Sequence, residues 1–331
     1  MPLLQRFSAE ALLPAAWRRL APAEQCHVFN PSITMHGAAW LMAYRVVLPD
    51  QRRRIAVCRL DDEGQVQLGS PMPLSDLLTD GGDWHADPRF CSFGDRLLLH
   101  FNNGARVPND IYILELDPAT LRPMGPCRTL QLDTPRTPVE KNWMFFAQDG
   151  VLYTIYSIAP HRVFRVHLDG PGSGPVTCES AHTTAWIDQS YRARYGELRG
   201  STPPVRVGDQ YYAFFHSQYR KSLVDRLLTA ARYGTPPGAV SYGVGCYVFR
   251  AEPPFVPEQY SAELLFASPV REASPRPALS RYYDSCVYPS GAVYRDGAWL
   301  ISVGLHDDGC GLLRLMPQDL QQALVPIERC E

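Results

Sequence analysis

Asp87-Pro88-Arg89-Phe90, then Gly94-Asp95, then Leu97-Leu98-Leu99-His100-Phe101, sets out one unit: a polar residue before proline, a turn pair, an apolar strand. The same grammar occurs four more times. Before it stands Asn30-Pro31-Ser32-Ile33, followed by residues 39–45, AWLMAYR. After it come Asn142-Trp143-Met144-Phe145 with Asp149-Gly150 and 152–156, and Thr202-Pro203-Pro204-Val205 with Gly208-Asp209 and 211–216. The last is Tyr288-Pro289-Ser290-Gly291 with Asp296-Gly297 and 299–304. Gly-Asp and Asp-Gly pairs between extended runs are hairpin signals, because these residues tolerate positive φ. A further apolar run follows each hairpin, at 54–60, 111–116, 163–168, 245–250 and 312–315.

The motif starts lie 57, 55, 60 and 86 residues apart. A period of about 40–60 residues with about four strands per unit is the signature of a β-propeller. The prediction is an all-β chain, a five-bladed β-propeller with four-stranded antiparallel blades. Residues 26–331 form one domain, and 1–25 an N-terminal segment. The long fourth interval contains 220–240, where Leu223, Leu227 and Leu228 at helical spacing predict a helical insertion or lid. A β-sandwich with coincidental turns is the competing reading. It does not require the same polar residue type ahead of every inner strand.

Composition narrows the function classes. The chain has 331 residues, a formal net charge of -2, 45% hydrophobic and 20% charged residues. That is a globular composition with ample core, and its charge argues against a nucleic-acid partner. No apolar run reaches the length of a membrane span. The first twenty residues, interrupted by Arg6, Glu10 and Pro14, do not read as a signal peptide, so a cytoplasmic location is expected. Nine scattered cysteines show no C-x-x-C pair, and the histidines are not spaced as ligands, so neither disulfides nor a metal site is expected. The apolar residues among the first 25, including Leu12, Leu13 and Trp17, read as an amphipathic helix that closes the propeller or docks a partner subunit. A homo-oligomer is left open.

In a propeller the inner strands converge on one axis. Asn30, Asp87, Asn142, Thr202 and Tyr288 then form a polar ring suited to a hydroxyl-rich ligand, a sugar. Trp84, Trp143, Tyr242 and Tyr288 are candidates for stacking on sugar faces. Arg45, Arg89, Lys141, Arg199, His161 and His216 are candidate cations for an anionic group such as phosphate. Lys141 stands out: of 32 basic residues only Lys141 and Lys221 are lysines, and Lys141 directly precedes a ring position. The plain alternatives are a turn-capping role for Asp87, a core role for His216 and structural salt bridges for Arg45 and Arg89.

The stretches HADPRF (85–90), VEKNWMFF (139–146), YSIAPHRV (156–163), GELRGSTPPVRVGDQYYAFFHS (196–217), YGVGCYVF (242–249), YPSGAV (288–293) and SVGLHDDGCGL (302–312) resemble glycoside hydrolase family 130. The resemblance runs from about Asn30 to Leu315. It implies an enzyme acting on β-mannosides, with Asp87 matching the family's general acid. In the phosphorylases of that family, phosphate attacks the anomeric carbon from the opposite face and inverts it. Lys141, Arg199 and His216 match the phosphate cluster, and Asp307 matches the acidic residue after the last inner strand. The expected substrates are a mannose-containing oligosaccharide or glycan with inorganic phosphate, a sugar phosphate or a nucleotide sugar, and no cofactor. The glutamate that usually precedes the general acid is Ala86 here. The chain also resembles the related glycosyltransferase family 108, which leaves a GDP-mannose-dependent mannosyltransferase as an alternative. A non-catalytic glycan-binding propeller is a third reading. Simple hydrolysis, which needs a second carboxylate as base, ranks low.

Overall fold

In the computed structural model the described residues are 3–80, 82–104, 107–168, 172, 174–220, 222–224, 227, 231, 240–267, 279 and 283–328. Two thirds of the predicted insertion at 220–240, including Leu228, and Cys330 lie outside them. The fold is mostly β. Its strands fall into the five sequence units.

The chain starts with β1 (Leu3–Phe7). The first unit is β2 (His27–His36), β3 (Ala39–Val47) and β4 (Arg53–Leu60), an antiparallel three-stranded sheet. The second is β5 (Ala86–Phe93), β6 (Arg96–Asn102), β7 (Ile111–Leu116) and β8 (Arg128–Leu132). The third is β9 (Met144–Gln148), β10 (Val151–Ser157), β11 (His161–His167) and β12 (Val176–Thr184), whose last strand pairs in parallel with β8. In the fourth, β13 (Leu198–Gly200) and β14 (Val205–Val207) share one edge of β15 (Gln210–Arg220). β15 pairs with β16 (Val240–Arg250), which carries β17 (Pro257–Ser261) and β18 (Phe266–Ala267). The fifth is β19 (Tyr283–Arg295), β20 (Ala298–Leu305) and β21 (Gly309–Leu315), and β1 adds itself antiparallel to β21. A uniform four strands per unit is therefore corrected at the first unit. There the fourth strand shrinks to two isolated bridges, Leu60 to Val66 and Val57 to Met72.

Turn chemistry fixes the hairpins as the sequence demands. Asp149-Gly150 and Asp296-Gly297 are two-residue loops with both φ values positive, the mirror-image turn whose twist matches the strands. Gly94-Asp95 and Gly208-Asp209 close equally short loops with positive φ at the glycine.

Each sheet buries both faces, because successive side chains point to opposite sides. Leu41 and Ala43 of β3 pack with Phe90, Leu97 and Leu99 of the second unit. Their neighbours Met42 and Tyr44 pack with Cys310 and Leu312 of the fifth unit and with Leu12, Leu13 and Trp17. Further clusters join units two and three, three and four, and four and five. Every unit thus shares one cluster with the unit before it and one with the unit after it, and the first shares one with the last. The N-terminal segment is part of that last seam: Trp17 Nε1 donates to Asp76 at 2.8 Å, and Tyr44 OH donates to the Leu12 carbonyl at 2.5 Å. It forms two short helices, Ala9–Leu12 and Ala15–Arg18, not one amphipathic helix.

Candidate active site

Three of the five predicted ring residues share an unusual backbone. Asn30, Asp87 and Asn142 have φ of 51°, 53° and 66°. Asn and Asp accept this left-handed conformation better than other non-glycine residues. The ladder slips at the first two, between Phe29 and Ser32 in β2 and between Ala86 and Arg89 in β5. Such a bulge re-aims one side chain out of the alternating pattern. The side chains so displaced line one cavity of 190 Å³.

All five units contribute to that cavity. Asn30, Arg45 and Arg53 come from the first, Asp87, Asn102 and Asn109 from the second, Lys141 and Asn142 from the third. Arg199, His216 and Tyr242 come from the fourth, and Cys286, Tyr288 and Asp307 from the fifth. Ten of the fifteen candidate residues are therefore brought together. Arg89 is 2% exposed and lies behind the lining, where it donates to Tyr288 OH at 2.6 Å and the Trp143 carbonyl at 3.2 Å. Tyr288 OH in turn donates to Asn142 Oδ1 at 3.1 Å.

Several further candidates are not at the cavity. Thr202 is buried and its hydroxyl accepts from Phe214 N at 2.9 Å. His161 is buried between Tyr247 and Phe249. Trp143 is a core residue packed with Phe145 and Phe164. Trp84 is half-buried beneath the guanidinium of Arg53, 5.0 Å from its ring centre, and is not part of the lining.

The charges form a definite pattern. Asp87 Oδ1 accepts from Asn30 Nδ2 at 2.8 Å and from Arg45 Nη2. Burial pushes the Asp87 carboxyl up, but Arg45, Arg89, the Asn30 hydrogen bond and Arg53 outweigh it and hold it well below the usual carboxylate range. Asp307 is opposite in behaviour. Burial raises it, with Asp87 adding to the rise and Arg45 and Arg53 opposing it. Asp307 sits at a tight turn between β20 and β21 with φ of 55°, next to His306 at 56°. Cys286 N donates to His306 Nδ1 at 3.2 Å and His27 Nδ1 lies 2.8 Å from Asp308 Oδ1, so both flanks of Asp307 are tied down.

Among the described residues, Lys141 and Arg199 line the cavity and form no salt bridge with a carboxylate. Arg199 Nη1 donates to the amide oxygen of Gln218 at 2.8 Å. The Lys141 ammonium is lowered, first by the protein around it and then by Arg199 and Arg45, with Asp87 opposing. His216 is held far below its ordinary value by burial and by Arg199, Arg89 and Lys141, so its imidazole is neutral; its Nδ1 pairs with Ser201 Oγ at 2.7 Å. Tyr242 stacks on it, the ring planes 21° apart.

Two glycines permit this arrangement. A Cβ on Gly304 would lie 2.0 Å from Asn30 Oδ1, and one on Gly200 would lie 2.1 Å from the Asn142 carbonyl oxygen. Glycine in a strand here marks close approach of a neighbouring unit.

The lining includes residues that the sequence reading missed, chiefly Arg53, Asn102 and Asn109. Asn102 had a usable signal. It pairs with Ala86, next to Asp87, as Arg45 pairs with Phe29, next to Asn30. Arg53 and Asn109 lie outside the repeated motif and carry no such mark. Among the described residues no cluster of His, Cys, Asp and Glu could hold a metal, the eight cysteines are free and buried, and no helix is long and apolar enough to cross a membrane.

No family model and no curated protein matches the sequence. Solved structures do match. A β-1,2-mannobiose phosphorylase from Listeria innocua, in complex with β-1,2-mannobiose, aligns over 96% of this chain and 98% of its own, with TM-score 0.58 and 13% identity. A putative glycoside hydrolase from Bacteroides ovatus aligns over 87% and 86%, with TM-score 0.58 and 13% identity. A structure from work on GH130 glycoside hydrolases that target β-1,2 mannosidic linkages in Candida mannan aligns over 88% and 85%, with TM-score 0.55 and 15% identity. At these identities the likeness is one of fold, and the fold of this chain is that of glycoside hydrolase family 130.

Proposed function

We propose that the protein is a carbohydrate-active enzyme that cleaves or forms β-mannosides by inverting phosphorolysis or its reverse, with mannose 1-phosphate as product or donor. The observation that carries this reading is one cavity, lined by an aspartate clamped by Asn30 and Arg45 and by two cations that form no salt bridge among the described residues. The mannoside chemistry of the fold's solved relatives supports the choice of sugar.

The frame proposed for this site is a five-bladed propeller, the units being its blades. Supporting it, the five core clusters join each unit to the next and the last to the first. A second cavity of 380 Å³ is also lined from all five units, at the far ends of the same inner strands, by residues such as Met35, Ser92, Gln148, Arg206 and Tyr294.

In this reading phosphate sits against Lys141 and Arg199, with neutral His216 as a further hydrogen-bonding group. The guanidinium is a planar fork for phosphate oxygens and the ammonium a rotatable point charge. Asn30, Asn142, Tyr242, Tyr288 and Asp307 contact sugar hydroxyls. Asp87 carries the proton for the glycosidic oxygen, relayed through a sugar hydroxyl. A phosphate oxygen forms the new bond to the anomeric carbon as the bond to the leaving oxygen breaks, and that oxygen leaves with the proton. Arg45, Arg89 and Arg53 favour the ionised form of Asp87. A bound phosphate dianion offsets the cations that keep it so, and loading phosphate therefore raises the proton affinity of the acid. Arg89, placed behind the lining, supports Tyr288 and does not contact sugar. Phosphate itself is the nucleophile, so no second carboxylate is needed to activate water.

The test is incubation of mannose 1-phosphate with a panel of acceptor sugars, reading released phosphate. Release that stops in Asp87→Asn supports the reading. Absence of release with every acceptor, together with turnover of GDP-mannose, overturns it in favour of a nucleotide-sugar transferase.

A further inference from the structure

We propose that Glu140 is a positioning residue that sets the phosphate-side wall of the cavity by fixing Lys141 and Asn142 in place. The inference rests on the phosphate role of Lys141 given above. Residues 137–143 belong to no strand, so no ladder of backbone hydrogen bonds holds them. Glu140 is 4% exposed and, among the described residues, forms no salt bridge. A buried carboxylate without a cation is rare and needs another explanation.

The explanation lies in its donors. Glu140 Oε1 accepts from Thr137 N at 2.6 Å and Tyr156 OH at 3.3 Å, and shares the Thr137 hydroxyl proton, at 3.1 Å, with the Val139 carbonyl. Glu140 Oε2 accepts from Trp143 Nε1 at 3.2 Å. One carboxylate thus ties the start of the loop, its end and the neighbouring strand β10 together. The main chain of the same residue is held across units. Its N–H donates to Asn109 Oδ1 at 2.6 Å, and its carbonyl accepts from Asn109 Nδ2 at 2.6 Å. Asn109 is 1% exposed and lines the cavity. It acts as a one-residue rung between the second and third units. The next two residues are Lys141 and Asn142, the latter in the left-handed conformation.

The clamp requires a group that only accepts. All four side-chain partners are donors, and a carboxylate offers about four lone-pair sites. Glutamine has the same shape, but its NH2 would face either Trp143 Nε1–H or the Thr137 donors. Glu140→Gln therefore breaks the clamp with little change in volume.

The experiment measures phosphate KM, kcat and thermal midpoint for the full-length wild type, Glu140→Gln, Lys141→Ala and the double variant. Tyr156→Phe, which removes one donor, is the milder variant should Glu140→Gln fold poorly. Glu140→Gln is expected to raise phosphate KM about tenfold, the loss typical of one disrupted buried hydrogen bond, with a smaller change in kcat. In the Lys141→Ala background that effect should largely vanish, because coupled residues are not additive. Tyr156→Phe should move KM the same way by a smaller factor. The proposal is overturned if Glu140→Gln lowers only the thermal midpoint, or raises KM equally with and without Lys141. Calorimetry with inorganic phosphate separates the two levels. Wild type that binds phosphate while Glu140→Gln binds it equally well removes this inference alone, whereas wild type that binds none at millimolar concentration removes the phosphate reading and this inference with it.

Discussion

Arg45→Met isolates the pairing at the centre of the cavity. Arg45 Nη2 contacts Asp87 Oδ1, and the side chains of the two residues are 8% and 17% exposed. Methionine keeps an unbranched stem of similar reach but removes the charge, and with it the guanidinium that lies over the Phe29 ring, 4.8 Å from its centre. Breaking one side of a buried pair costs about 3–5 kcal/mol, because the other charge stays buried. A chain of 331 residues unfolds with an entropy of about 0.7 kcal/mol/K, so about 4 kcal/mol lowers the midpoint by about 6 °C. The same loss amounts to about 2–4 pKa units at 1.36 kcal/mol each. In the wild type the folded-state value of Asp87 lies below its unfolded value. Its stabilisation is therefore complete above the unfolded value and is lost only as pH falls through the folded one. The variant should lift the folded value to or above the unfolded one, so that the carboxyl takes up a proton in mild acid and its burial ceases to cost. Thermal melts at pH 8 and pH 5 should show the full penalty at pH 8 and a smaller one at pH 5. Adding Asp87→Asn should recover much of the loss and flatten the pH dependence. An equal penalty at both pH values, with no recovery in the double variant, refutes the electrostatic account of Asp87.

Other expectations follow from the same geometry. Gly304→Ala drives a Cβ into Asn30 and displaces its bond to Asp87; turnover should fall about 100-fold, as for a misplacement of about 1 Å, while Gly297→Ala at the β19–β20 turn affects stability alone. Tyr288→Phe removes the acceptor of Arg89 and the donor to Asn142, and should cost about 1–3 kcal/mol in denaturant titration, more than Tyr294→Phe, whose ring is 39% exposed. Because His216 is neutral and held far below its ordinary value, sulfate affinity measured calorimetrically should stay flat from pH 6 to pH 8; a fall centred near about 6.5 means the imidazole titrates in that range.

Much of the fold was legible because turn chemistry is local. Asp149-Gly150 and Asp296-Gly297 announce their hairpins in two residues, and the polar motifs mark the five units into which the strands fall. The site was legible where the repeat marks it. Asn30, Asp87 and Asn142 recur at one position of the unit, and all three share the left-handed backbone conformation and line the cavity. The same logic misplaced Thr202, whose hydroxyl serves its own hairpin, because a residue type in register does not guarantee the same backbone twist. Trp143 and His161 were misread for a different reason. Alternation along a strand says that a side chain faces inward, but not whether that means the axis or the seam between two units. Arg53 and Asn109 reach the cavity from outside the motif, through packing between units that no local pattern encodes.

The most direct measurement is incubation of the protein with a panel of β-linked mannobiosides, with and without inorganic phosphate, and identification of the products by NMR. The account predicts α-mannose 1-phosphate, formed only when phosphate is present and lost by two orders of magnitude or more in Asp87→Asn, about the share that general acid catalysis supplies. Free mannose released at the same rate with and without phosphate contradicts it.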